Sequence, residues 1–222
     1  MTEGLFPAEP REVAPGAVHL PGRLGREEQR ELLAACRRWA LPPAGLRTVA
    51  MPRGGRMSVR QVCLGWHWYP YGYARTVVDG DGSPVKEFPG WLGEWARGAV
   101  AAAYDAHPVP GGQPERLAYD IALVNFYDDR ARMGMHRDSD EQSSAPVVSF
   151  SLGDTCVFRF GDADDRGSPY TDTELAGGDA FVFGGPARLA YHGVPRTRPG
   201  TAPAWLGLRG RLSVTVRQFE PS

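Results

Sequence analysis

Two periods of hydrophobic positions divide the chain. REEQRELLAACRRWA spaces Leu32, Leu33, Cys36 and Trp39 at helical intervals ahead of Pro42-Pro43. A second stretch beginning near Pro89 carries Trp91, Trp95, Ala99 and Ala102 on one face as far as His107-Pro108. Both predict helices whose task is packing. Between them MSVRQVCLGWHWYPYGYARTVV alternates imperfectly and is crowded with aromatic and β-branched residues, which predicts strands joined by a loop around Pro70. From Leu117 the period becomes two, with strands predicted at 120–127, 134–138, 146–152, 156–160, 173–176, 180–184, 189–194 and 210–219. Short strands in succession without intervening helices imply a double-sheet or barrel-like β core. The prolines and glycines of residues 1–22 predict an extended arm lying over the main domain, and GDADDRGSPYTD an exposed loop.

Length and composition narrow this picture. A chain of 222 residues with 42% hydrophobic content suits one large domain, 1–222, with a continuous core. The near-balance of 25 Lys+Arg against 26 Asp+Glu argues against a uniformly basic nucleic-acid binder, although a local groove stays open. Cys36, Cys63 and Cys156 lack CxxC spacing, so neither a zinc module nor a disulfide scaffold is indicated, and buried thiols in a reducing compartment are expected. MTEGLFPAEPRE has no basic start followed by an apolar core, and no later run has the length of a membrane span, so the expectation is a cytoplasmic protein without a membrane partner.

The chemistry concentrates in the second half. In MGMHRDSDE, His136 and Asp138 stand two positions apart, and on a strand or its frayed end they leave one face and can hold one ion together. His192 in LAYHGV can close a third position. Two imidazoles and a carboxylate leave the opposite coordination sites free, which suits a non-haem Fe(II) centre for oxygen chemistry, though catalytic zinc can use the same donors. In RGRLSVTVR the residues Arg209, Arg211, Ser213, Thr215 and Arg217 form one face and Leu212, Val214 and Val216 the other, so Arg211 and Arg217 can offer planar forks to the two ends of a small diacid, or one can bind it while the other anchors a neighbouring carboxylate. Asn125 and Tyr127 share a face in the same way. Taken alone, that last strand could equally be a half-solvated outer strand.

Together these segments make the chain resemble the AlkB family of Fe(II)/2-oxoglutarate-dependent dioxygenases, from MPRGGRMSV through LGWHWYPYGY, LVNFYDDRARMGMHRDSDE, APVVSFSLG and FVFGGPARLAYHGV to RLSVTVR. The resemblance implies a mainly β fold with flanking helices: a double-stranded β-helix, or jelly-roll, core over about 117–219, beneath an N-terminal nucleotide-recognition lid over about 45–85. It implies His136, Asp138 and His192 as ligands of Fe(2+), with 2-oxoglutarate and O2 as cosubstrates. Arg211 would bind the far carboxylate of 2-oxoglutarate, Asn125 and Tyr127 would line its site, and Arg217 would lie near its metal-proximal end. Ser213 departs from the family pattern, which places Asn between the arginines, and reaches less far.

LGWHWYPYGY places Trp66, Trp68, Tyr69, Tyr71 and Tyr73 where aromatic faces could stack on an unpaired base. The resemblance singles out Trp66 as a pocket wall, Tyr73 as a lid residue near the substrate phosphate, Asp140 as reader of the base amino group with Glu141 close by, and Arg166 as reaching the substrate from the DDRGSP loop. Arg53, Arg56, Arg75 and Arg137 would add backbone affinity. The implied activity is oxidative demethylation of 1-methyladenine and 3-methylcytosine in DNA, with RNA open, by a monomer needing no protein partner. Two alternatives stand beside it: an Fe(II)/2-oxoglutarate hydroxylase of a small molecule or protein side chain, and a non-catalytic nucleic-acid-binding module.

Overall fold

In the computed structural model, which describes residues 9–52, 54–109, 113–167 and 169–219, the chain begins with the hairpin β1 (Arg11–Ala14) and β2 (Ala17–Leu20). Helix α1 (Arg26–Trp39), strands β3 (Arg47–Ala50) and β4 (Arg56–Leu64), the short pair β5 (His67–Tyr69) and β6 (Gly72–Ala74), and helix α2 (Gly90–Ala106) follow. Then come β7 (Ile121–Tyr127), β8 (Met133–His136), β9 (Val147–Gly153), β10 (Cys156–Phe160), β11 (Thr171–Leu175), β12 (Ala180–Phe183), β13 (His192–Thr197) and β14 (Arg211–Arg217).

Helix α1 starts where the Glu28 carboxylate accepts the Gly25 N–H at 2.7 Å, and Glu27 and Glu28 at its start with Arg37 and Arg38 at its end complement the helix dipole. Leu32, Leu33 and Cys36 form its buried stripe. In α2 the small residues Ala96, Ala99 and Ala103 let the helix approach the sheet closely.

The eight strands of the period-two segment divide between two facing sheets. One runs β1-β2-β12-β9-β14-β7-β4-β3 and the other β11-β10-β13-β8. Chain order therefore shuttles between layers, with β7, β9, β12 and β14 in the large sheet and β8, β10, β11 and β13 in the small one. This is a jelly roll. Along β12, Ala180 and Val182 face the cluster under the helices, whereas Phe181 and Phe183 face the space between the sheets. β14 is buried along its whole length between β7 and β9, so it is a central strand and not an outer one.

Two sequence expectations change. The arm of residues 1–22, of which 1–8 lie outside the described residues, is built into the sheet: β2 pairs with β12 from Ala17↔Phe183 to Leu20↔Ala180. The 45–85 segment expected as a lid is likewise continuous with the large sheet in its first part, because β4 pairs with β7 and β3 extends it. In both cases an otherwise open strand edge gains partners for its N–H and C=O groups.

Asp179 fixes the N-terminal hairpin. Its carboxylate accepts from His19 Nε2 at 2.9 Å, from the Gly22 N–H at 2.8 Å and from the Ala176 N–H at 2.9 Å. Asp179→Ala leaves these donors without an acceptor and is expected to lower the unfolding free energy by about 3 kcal/mol, read by urea denaturation. A loss under about 1 kcal/mol would show that the hairpin holds itself.

Candidate metal centre and cosubstrate pocket

Strands β8 and β13 pair so that His136 stands opposite His192. Gly193 permits this approach, since a Cβ there would stand 2.8 Å from the Met133 carbonyl oxygen. β8 ends at His136, so Asp138 sits just past the strand and not on it as the predicted 134–138 strand had it. Likewise His192 opens β13, because the chain after the 3-10 turn Gly185–Ala187 stays out of the strand as far as residue 191, whereas the predicted strand begins at 189.

The two imidazoles are oriented alike. His136 Nδ1 donates to the Gly134 carbonyl at 2.9 Å and His192 Nδ1 to the Ala190 carbonyl at 3.0 Å, which leaves each Nε2 lone pair directed inward. Each Nε2 lies 3.7 Å from an Asp138 carboxylate oxygen. The three potential ligand atoms fall within 4.8 Å of one another. Burial, reinforced by the nearby His136, pulls His192 down to about 4, so it is a neutral donor at neutral pH. Burial alone would raise Asp138, but the charges of Arg217, His192, His136 and Arg188 outweigh it and hold the carboxyl at about 2. Arg217 Nη2 occupies Asp138 Oδ1 at 2.6 Å, while the buried Oδ2 has no hydrogen-bond partner. An unsatisfied carboxylate oxygen between two prepared imidazoles fits a divalent cation.

The cavity beside this triad runs to the large sheet and is lined by Asn125, Tyr127, Ser149, Arg211, Ser213, Thr215 and Arg217 along with the metal-binding residues, Phe158 and Phe183. Arg211 is 1% exposed, and only its Nη2 has a partner, Ser151 Oγ at 3.1 Å. Nε and Nη1 have none. A buried guanidinium with two idle donors needs an anion. Burial pushes the Tyr127 hydroxyl up to about 12 against the pull of Arg211, so it stays protonated, with Arg211 5.0 Å from its ring centre. Ser213 bonds Ser149 at 3.0 Å, and Thr215 lies 3.5 Å from both hydroxyls, so a hydroxyl cluster stands where the family pattern has Asn. Asn125 Oδ1 accepts from Gln61 of β4 at 3.1 Å. A diacid carrying one carboxylate to Arg211 and its other end to the metal fits this set of donors.

Sequence reasoning missed Ser149, Ser151, Gln61 and Arg188. The serines were findable, as alternate polar positions in the otherwise apolar strand VVSFSLG. Arg188 gave no such signal.

The residues expected at the base divide into two groups. The Glu141 side chain is buried, pairs with Arg217 at 2.7 Å and Arg188 at 3.1 Å, and accepts from the Tyr73 hydroxyl. Burial would raise its carboxyl, but Arg217 prevails and lowers it. Glu141 therefore serves as an anchor, and reaching a base would break both ion pairs. Tyr73 also accepts from Arg217 Nη1 at 3.2 Å, so its hydroxyl turns inward rather than toward a phosphate. Asp140 is half-buried and takes the Trp68 indole N–H at 2.8 Å, tying the β5–β6 hairpin to the segment behind Asp138. Trp66 donates to Asp120 at 3.0 Å, packs 4.2 Å from Phe219 and carries the Arg75 guanidinium 3.5 Å from its ring centre. Arg166 is exposed in its loop and does not line the cavity. Arg56 and Arg137 are exposed, and Arg53 lies outside the described residues. Tyr71, 80% exposed at the tip of the β5–β6 hairpin with φ 71°, is the aromatic freest for an outside partner.

A groove of about 640 Å³ bordered by Asp129, Asp154, Pro199 and Arg209 shares no lining residue with the cavity. Among the described residues no helix is long and apolar enough to cross a membrane.

Residues 16–217 match the family model of the 2OG-Fe(II) oxygenase superfamily. An alpha-ketoglutarate-dependent dioxygenase AlkB homolog of Caulobacter vibrioides is 38% identical over 95% of this chain and 91% of its own length. A DNA N(6)-methyladenine demethylase of Arabidopsis thaliana, ALKBH1C, is 34% identical over 93% of the chain, which spans about half the length of that relative. The solved structure of OsALKBH1 superposes with a TM-score of 0.83 at 35% identity, covering 94% of this chain and 99% of the other. With the His136, Asp138 and His192 triad lying between the two sheets of a jelly roll, the chain belongs to the AlkB family of the 2OG-Fe(II) oxygenase superfamily.

Proposed function

We propose that the chain oxidatively removes methyl groups from ring nitrogens of nucleobases in DNA, with 1-methyladenine and 3-methylcytosine as substrates, in direct reversal of alkylation damage by a cytoplasmic monomer. One observation carries the chemistry: a single cavity holds a prepared metal triad at one end and the two idle donors of Arg211 at the other. The substrate class is supported by the demethylases among its relatives and by the aromatic hairpin, whose Trp68 is bonded to the Asp140 carboxylate two residues after Asp138.

Bound Fe(II) with 2-oxoglutarate and O2 supplies the oxidising power that converts the N-methyl group to a hydroxymethyl group, with succinate and CO2 as co-products. His136, His192 and Asp138 Oδ2 would hold the ion, and Arg217 fixes the carboxylate through Oδ1. Arg211 would hold the distal carboxylate of 2-oxoglutarate, with Tyr127, Ser213 and Asn125 beside it. Phe158 and Phe183 wall the cavity and limit water. Asp140 favours a base that carries positive charge, as both substrates do, and their lost Watson–Crick pairing lowers the cost of flipping. The hydroxymethyl adduct then collapses to formaldehyde and the restored base, a step that needs no protein nucleophile.

The test incubates Fe(II)-loaded protein and 2-oxoglutarate with DNA and RNA strands carrying 1-methyladenine, 3-methylcytosine or N6-methyladenine, followed by mass spectrometry. Loss of one methylene's mass from the first two in DNA, absent with His136→Ala, is expected. Succinate formation with every strand unchanged would redirect the reading to a small-molecule or protein substrate.

A further inference from the structure

We propose that Arg188 is a positioning residue for the metal centre, a strut that sets where Asp138 stands relative to His192. The proposal rests on the reading of His136, Asp138 and His192 as metal ligands.

β8 and β13 are paired only as far as His136↔His192. Beyond that point both chains leave the ladder: residues 137–146 are in no strand or helix, and 184–191 contain only the 3-10 turn Gly185–Ala187. Asp138 lies on the first of these segments and His192 is the ladder residue that follows the second, so ladder hydrogen bonds hold His192 but do not fix its separation from Asp138. Arg188 bridges the gap. From the turn four residues before His192 its Nη1 donates to the Asp138 carbonyl at 2.6 Å, its Nε to the Ala145 carbonyl at 2.9 Å, and its Nη2 to Glu141 Oε2 at 3.1 Å and the Ser143 carbonyl at 3.4 Å. One buried side chain thus satisfies three carbonyls and one carboxylate on the segment bearing Asp138.

The chemistry requires a guanidinium. Its planar fork reaches acceptors in several directions at once, whereas an ammonium is a point donor on a flexible stem. Burying a cation costs several kcal/mol unless it is fully bonded, so the side chain is held to this one arrangement. Arg188 touches the Asp138 backbone, while Arg217 holds the carboxylate itself. The two arginines therefore constrain the same ligand at different atoms.

The test uses the full chain and Co(II), whose visible spectrum reports coordination geometry independently of turnover. In Arg188→Lys, with folding verified by far-UV circular dichroism, Co(II) affinity is expected to fall about 10- to 100-fold and the spectrum to change. Arg188→Met, which avoids burying a lone ammonium, gives the same readout if the lysine variant fails to fold. A folded variant with lowered thermal stability but wild-type Co(II) affinity and spectrum would overturn the proposal, because a merely structural arginine would do that. Wild-type protein that takes up no Co(II), or takes it up equally after His136→Ala, would overturn the reading of the triad and the strut with it.

Discussion

Arg211→Met is expected to abolish 2-oxoglutarate-dependent turnover and at the same time to stabilise the ligand-free protein. The guanidinium is buried with Nε and Nη1 unpaired, so in the absence of an anion it bears most of its desolvation cost alone. What methionine would lose is smaller: one hydrogen bond to Ser151 at 3.1 Å and the contact with the Tyr127 ring, each worth about 1 kcal/mol. The cost removed is several kcal/mol, and a flexible thioether fills the same channel, so the balance favours the variant. Removing the cation from a buried pair with a ligand carboxylate costs about 2–5 kcal/mol of binding, a weakening of 2-oxoglutarate from about 30-fold to several thousand-fold. Thermal melts with and without 2-oxoglutarate and a redox-inert divalent ion check both parts. The ligand-free transition should rise, and the ligand-induced shift seen in wild type should vanish. A variant that is less stable when empty yet still shifted by 2-oxoglutarate would remove Arg211 from the cosubstrate site.

How far such residues could be read from the sequence depended on whether their chemistry was local. His136 and Asp138 are two apart, and Arg211 and Ser213 share a strand face, so backbone period alone brings them together. Two-residue alternation also located most strands to within a few positions, because β12 presents its faces to different clusters and β14 presents one face to a cluster and the other to the cavity. The partners that set each group's role come from elsewhere. The resemblance puts Glu141 close to the base beside Asp140, and only the convergence of Arg188 and Arg217 on it, from positions 47 and 76 residues away, makes it an anchor. The hairpin of residues 11–20 read as a loose arm because its pairing partner, β12, lies more than 150 residues along the chain. In the same way the inward turn of Tyr73 is a property of β14, not of the aromatic run that contains it.

Arg217→Met should have the opposite effect on stability to the same substitution six residues earlier. Both arginines are buried, on one face of β14, and both line the cavity. Arg217, however, is committed through both terminal nitrogens, with only Nε unpartnered: Nη2 holds Asp138 at 2.6 Å, and Nη1 holds Glu141 at 2.7 Å and the Tyr73 hydroxyl at 3.2 Å. Its removal leaves two buried carboxylates with too little positive charge, and breaking a buried pair in this way costs about 3–5 kcal/mol. A double-mutant cycle with Glu141→Gln isolates the cause. If the penalty is an uncompensated carboxylate, neutralising Glu141 in the Arg217→Met background recovers about 1–3 kcal/mol, and the double variant loses less than the sum of the two single losses. Strict additivity in urea unfolding would instead make Arg217 a packing residue and uncouple Glu141 and Tyr73 from Asp138. The contrast between the two arginines follows from what each already touches. A guanidinium whose acceptors belong to the fold stabilises it, and one whose acceptors are absent from the chain is held in reserve for a ligand.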